Sequence, residues 1–132
     1  MINISNEVYD KVVKALKAHD NSIETSSVYT NTPSKYPFVS IEEIENLVDY
    51  DTSDCCNVEN HAEVQYEINI YTKNPKKREK AYEILEVVDE LLGSYNFVRI
   101  SKNNFQDANE TTYLLVARYS AVVSKEHVIY RR

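Results

Sequence analysis

The sequence predicts an α+β fold: one antiparallel or mixed β-sheet of about four to five strands, with two α-helices packed on one face. Three observations carry this expectation. Apolar residues recur at helical spacing in two separate stretches, one near the start of the chain and one at 76–92. Elsewhere they alternate one-in-two, most clearly at 62–70 and 112–123. Short polar segments join consecutive strand-like stretches, which favours antiparallel neighbours. With 132 residues, residues 1–132 are expected to form a single domain.

In the first helix, Tyr9, Val12, Val13 and Leu16 fall at i, i+3, i+4 and i+7, and Val8 widens the stripe. Lys11, Lys14 and Lys17 take the other face. Ser5 or Asn3 is expected as N-cap and the end near 19–21. Residues 20–35 are polar, with a short strand expected at 27–30, and Pro33 and Pro37 bracket a turn. From Phe38 an imperfect alternation through Val39, Ile41, Ile44, Leu47 and Val48 predicts a strand with a bulge or bend near Glu42 and Glu43. Residues 49–60 read as the polar tip of a hairpin.

Ala62, Val64, Tyr66, Ile68 and Ile70 then alternate with Glu63, Gln65, Glu67 and Asn69, the pattern of a sheet with one buried face and one wet face. The second helix is expected to start at Asn74 as N-cap with Pro75 in the first turn, and Ala81, Ile84, Leu85, Val88, Leu91 and Leu92 make its stripe. Gly93 follows directly and is expected at the C′ position, with positive φ. Phe97, Val98 and Ile100 open another strand, and residues 103–109 read as a turn. The strand at 112–123 is apolar on both faces, which predicts a central position, and the tail HVIYRR supplies a short edge strand or stays loose.

The composition excludes several chemistries. Gly93 is the only glycine, so neither a phosphate-cradling loop, a dinucleotide fingerprint nor a nucleophile elbow can be built. Cys55 and Cys56 are adjacent and lack the two-residue spacers that let thiolates converge with His61 on zinc. They are expected to be free thiols. Asp49, Asp51 and Asp54 resemble part of a calcium loop but lack its turn glycine and distal glutamate. His19, His61 and His127 have no paired nucleophile in a familiar spacing. The chain is therefore not expected to be an enzyme or to hold a cofactor or metal. It has neither an 18-residue apolar run nor a basic-then-apolar leader, so no membrane is expected among its partners.

The net charge of −6 is unevenly spread. Residues 36–72 hold nine acids and no Lys or Arg, while the remainder holds 12 acids and all 15 basic residues. Three readings of the acidic hairpin stand open: a solvated face, a cation site, or an interface with a basic surface. Lys76, Lys77, Arg78 and Lys80 crowd the start of the second helix, where positive charge opposes the helix dipole. An acidic neighbour would offset that. The candidate subunit interface is thus Glu42, Glu43, Glu45, Asp49, Asp51 and Asp54 against Lys76, Lys77, Arg78 and Lys80. Eleven tyrosines and no tryptophan suit both half-buried strands and protein interfaces.

Four stretches taken in order resemble the tail-completion or tail-terminator proteins of tailed phages. They are the N-terminal amphipathic helix leading into YPFVSIEEI at 36–44, EVQYEINIYTKN at 63–74, REKAYEILEVVDELL at 78–92 and TTYLLVARYSAVV at 111–123. The resemblance covers nearly the whole chain and rests on order and spacing. It implies a structural virion protein, made in the bacterial host cytoplasm and located in the tail. Such a protein forms a homo-hexameric ring on the tail tube, ends tube polymerisation and joins the tail to a neck or head-closure protein, with DNA passing through the lumen. It implies no catalytic residues. An acidic inhibitor or DNA mimic that binds a host nucleic-acid enzyme is the alternative that the charge of residues 36–72 motivates.

Overall fold

A computed structural model describes residues 2–27, 35–48, 61–73, 76–106, 112–124 and 126–130. The fold is α+β. In chain order it comprises α1 (Ser5–His19), β1 (Glu24–Ser26), β2 (Phe38–Val48), β3 (His61–Lys73), α2 (Lys77–Ser94), β4 (Val98–Gln106), β5 (Thr112–Ser124) and β6 (Ile129–Tyr130). Among the described residues the sheet has six strands in the order β1-β2-β3-β5-β4, and β6 pairs with β5. This exceeds the four to five expected because two very short edge strands, β1 and β6, are both present.

The sheet is mixed. β1 runs parallel to β2, and the other pairs are antiparallel. β1 occupies Glu24–Ser26, and most of the strand expected at 27–30 lies outside the described residues; β1 follows α1 closely because the chain turns early. The Ser22 amide and hydroxyl both donate to Asp20 Oδ1, at 2.9 and 2.7 Å, which closes an Asx turn directly after α1. These bonds favour the charged carboxylate and hold the Asp20 pKa below its ordinary value. Ile23 is then buried and the strand begins.

The hairpin β2–β3 slips register between Glu43 and Glu45, so the bulge falls at Ile44, next to its expected place. β3 and β5 are paired along their whole lengths, from His61↔Ser124 to Lys73↔Thr112. β5 is central, as its two apolar faces predicted. Asn103 and Asn104 belong to β4 rather than to a turn, because β4 stays paired with β5 as far as Gln106↔Tyr113. The tail does supply an edge strand: Tyr130 and Ile129 lie against Val122 and Val123.

Both helices pack on one face of the sheet. A single core joins Val8, Val12 and Leu16 of α1 and Ala81, Ile84, Leu85, Val88 and Leu92 of α2 to the inward rows Val64-Tyr66-Ile68-Ile70 and Leu115-Ala117-Tyr119-Ala121. The helices run antiparallel: Lys11 of α1 lies 4.0 Å over the Tyr95 ring that follows α2, while Asp20 feels the charge of Lys80. The other face of β3 is less wet than its sequence suggests. Glu63, Gln65 and Glu67 are half-buried, and Asn69 is buried. In a six-stranded sheet β3 is an interior strand, shielded by side chains of β2 and β5 on both sides.

Three helix ends differ from expectation. Ile4 occupies the N-cap position of α1, although Asn3 does serve it, with Asn3 Oδ1 accepting from the Ser5 amide at 2.9 Å. Lys76, in the left-handed region at φ 57°, occupies the N-cap position of α2. Asn74 and Pro75 lie outside the described residues. At the far end Gly93 sits inside α2 without positive φ, and Asn96 takes the left-handed conformation instead, at φ 70°. The Phe97 amide donates to Leu92 O and the Asn96 amide to Gly93 O, at 2.9 and 3.1 Å. That is a Schellman motif, with Asn96 at C′ and Phe97 buried with Leu92.

Candidate subunit interface

The acidic half of the expected interface is only partly described. Asp49, Asp51, Asp54, Cys55 and Cys56 lie outside the described residues. Glu42, Glu43 and Glu45 lie on β2, and the bulge at Ile44 sets how they face. Glu43 opposes Tyr66 on the helix side of the sheet, while Glu42 opposes Glu67 and Glu45 opposes Gln65 on the other side.

Glu43 is held by the fold. Tyr66 Oη donates to Glu43 Oε1 at 3.2 Å, and Asn46 Nδ2 donates to the same oxygen at 3.4 Å and to the Ile2 carbonyl at 2.7 Å. Burial, reinforced by the Glu43 charge, pushes the Tyr66 hydroxyl well above its ordinary pKa. Glu42 is different. Its cross-strand neighbour Glu67 is already neutralised by Arg118 at 3.1 Å, and among the described residues Glu42 meets no cation.

These residues frame a cleft. β1 covers β2 only at Phe38–Ser40, so past Ser40 the outer edge of β2 has no strand beside it among the described residues. There a cleft of about 440 Å³ opens between α1 and β2, lined among others by Ser5, Tyr9, Ile41, Glu42, Glu43 and Tyr66. Tyr9 Oη donates to Thr25 Oγ1 at 3.3 Å across its margin. The cleft is polar and acidic, and no group of three or more metal-ligating side chains occurs among the described residues.

The basic half starts α2. Lys76, Lys77, Arg78 and Lys80 all begin α2, with Lys76, Arg78 and Lys80 exposed. Lys77 is half-buried, and its carbonyl accepts from Thr72 Oγ1 at 2.6 Å, tying the helix start to the end of β3. Lys80 lies near enough to the end of α1 for Asp20 to feel its charge. Arg78 lies 5.6 Å over the Tyr82 ring, one turn along the helix. Lys102 of β4 reaches the same ring from the sheet, 4.6 Å over its centroid and donating to Tyr82 Oη at 3.1 Å. That hydrogen bond lowers the Tyr82 pKa, with the charges of Lys102 and Arg78 acting in the same direction. The gathered basic patch is therefore Arg78, Tyr82 and Lys102.

Sequence reasoning missed Tyr82 and Lys102. The i,i+4 spacing of Arg78 and Tyr82 was visible, but bringing Lys102 to them required the register of β4. The chain matches no protein-family model and no curated protein.

The cleft lies at β2, next to one end of the strand order, and the patch at β4, the other end; Glu43 of the cleft and the patch both lie on the helix side of the sheet, Glu42 on the other. A second concavity, a shallow trough of about 860 Å³, lies on the helix-free face over Glu67, Asn69, Leu114, Val116 and Arg118. Its floor is tied internally by Asn69 Nδ2 donating to Glu67 Oε1 at 3.2 Å and by the Glu67–Arg118 pair.

Proposed function

We propose that this chain is a structural virion protein that caps a phage tail tube as a ring, ending tube polymerisation and presenting the surface that joins the neck. The resemblance in its sequence motivates this reading. What supports it in the molecule is charge polarity across the strand order. One end of the sheet carries the acidic cleft and the other the Arg78–Tyr82–Lys102 patch. Opposite surfaces at opposite ends suit head-to-tail association, which closes into a ring when the rotation between copies allows it. A two-fold dimer would instead need one self-complementary patch. The role asks for no catalysis: such a ring works by occupying the end of a polymer and offering it no further growth surface.

Native mass spectrometry and negative-stain imaging of the full chain, alone and mixed with tail tubes, test this. The expected result is a ring of six with a central hole, in solution or on the tube end, and tubes that stop elongating once it is bound. A chain that stays monomeric or dimeric at high concentration and leaves tube growth unchanged overturns the reading.

A further inference from the structure

We propose that the helix-free face of the sheet docks a basic amphipathic helix of a partner protein. Glutamates of β2 and β3 meet its cations, and the outward apolar row of β5 meets its apolar stripe. This goes beyond the ring reading and does not depend on it.

Register assigns the face. Tyr66 and Ile68 of β3 and Ala117 and Tyr119 of β5 point into the helix-side core. Glu63 and Glu67 on β3, and Leu114, Val116, Arg118 and Val122 on β5, therefore point the other way. On β2, Glu42 opposes Glu67, Glu45 opposes Gln65 and Leu47 opposes Glu63, which places all three on that same face.

Three features make it a docking surface. The first is apolar. β5 is apolar on both faces, yet the helices pack on only one of them. Leu114, Val116 and Val122 stay half-buried on the other, with Leu47 beside them at 53% exposure and Tyr130, paired with Val122, at 49%. An apolar row without a layer over it is a surface that a further layer covers.

The second is charge. Among the described residues this face sets Glu42, Glu45, Glu63 and Glu67 against Arg118 and Lys73. Arg118 is bound to Glu67 at 3.1 Å, and Lys73 lies at the far end of β3, 4.5 Å over the Tyr36 ring. Glu42 stands directly opposite Glu67, a like-charge pair that a cation from outside relieves. Two such faces brought together would set glutamate against glutamate, so the occupant is not the same face of a second copy.

The third is shape. The trough of about 860 Å³ runs over Glu67, Leu114, Val116 and Arg118, so acidic and apolar parts share one concavity. In the adjoining row Ser120, fully buried opposite Gln65, keeps a hydroxyl without a hydrogen-bond partner. The backbone of β3 and β5 is already paired on both sides, which leaves side chains for the occupant to meet, as a helix lying on a sheet does.

The probe is a pair of synthetic helical peptides with one leucine stripe in common, the remaining positions lysine in one and glutamate in the other. Fluorescence anisotropy with the full chain is expected to show saturable binding of the lysine peptide and none of the glutamate peptide. Glu42→Gln with Glu45→Gln should weaken that binding by about fivefold. Val116→Thr, close in shape and only half-buried, should weaken it by about threefold. Glu83→Gln with Glu86→Gln removes the same charge from the exposed side of α2 and should leave it unchanged. Circular dichroism and melting profiles are compared for every variant, and each is expected to stay folded. A loss in the α2 variant equal to that in the face variant means that net charge alone attracts the peptide, and overturns the site. Binding of both peptides, or of neither, overturns it as well. Self-association of the full chain that disappears in both face variants would give the face to a second copy and overturn the basic partner.

Discussion

Two buried tyrosines show how single residues set the conditions under which this fold survives. Tyr66 donates to Glu43, and Tyr119 donates to Asp89 Oδ1 at 2.9 Å. Burial first, and the adjacent carboxylate second, raise both hydroxyls above the ordinary 10.0. A raised pKa means that the protonated form is favoured in the folded state. The associated stability is fully present below 10.0 and is lost as pH climbs above it, because the unfolded tyrosines ionise while the folded ones resist. Melts at about pH 8 and about pH 11 should therefore differ steeply for the native chain and less for Tyr66→Phe or Tyr119→Phe. Equal pH dependence in all three would contradict this account. Asn96 sets a second residue-scale condition. Replacing it with alanine places a β-carbon at positive φ and should lower stability by roughly 1 kcal/mol, read as a lower chemical-denaturation midpoint. Asn96→Gly should be close to neutral.

At the scale of elements, α2 shows what a sequence discloses and what it withholds. Its apolar stripe was legible, and Ala81, Ile84, Leu85, Val88 and Leu92 are buried as their spacing required. Its ends were not. Gly93 stands where a helix terminator would, yet the helix runs through it and ends on Asn96. The cause is tertiary: closing the motif at Asn96 places Phe97 in the core beside Leu92 and edge-on to Tyr66, at a ring separation of 5.7 Å. A sequence window cannot weigh that burial against the preference of glycine for positive φ. One consequence can be checked directly. A β-carbon built at Gly93 meets nothing within 4 Å, so Gly93→Ala should raise stability by about 0.5–1 kcal/mol. A loss would mean that the glycine is needed after all. The strands were legible in proportion to their alternation. β3 and β5 were clear, β2 was placed with its bulge one residue off, and β4 was cut short because asparagines read as turn residues until their partners on β5 are known. The candidate site followed the same rule. Glu42 and Glu43 could be singled out by charge alone, whereas the patch that gathers Arg78 with Lys102 depends on a pairing between residues distant in sequence.

For the whole molecule, the prominent feature is asymmetry. Acidic and basic surfaces sit at opposite ends of one sheet, and both edges remain uncovered among the described residues. Uncovered strand edges with exposed apolar side chains are an aggregation hazard in a monomer. A closed assembly removes the hazard by leaving no edge over. We therefore expect assembly and solubility to move together. A substitution that weakens association should also lower the concentration at which the chain precipitates, as measured by light scattering. A variant that loses rings but stays equally soluble would separate the two properties.

The pairing of β3 with β5 carries a consequence for synthesis. His61 is paired with Ser124, and the whole interior ladder joins segments on either side of α2 and β4. On a ribosome, α1 through β3 emerge long before β5 exists, so the hairpin must wait with one flank of β3 bare. Contacts this distant along the chain slow folding and prolong the exposure of sticky intermediates. Nascent chains stalled before residue 112 should therefore recruit chaperones strongly, and chains released past residue 124 should shed them.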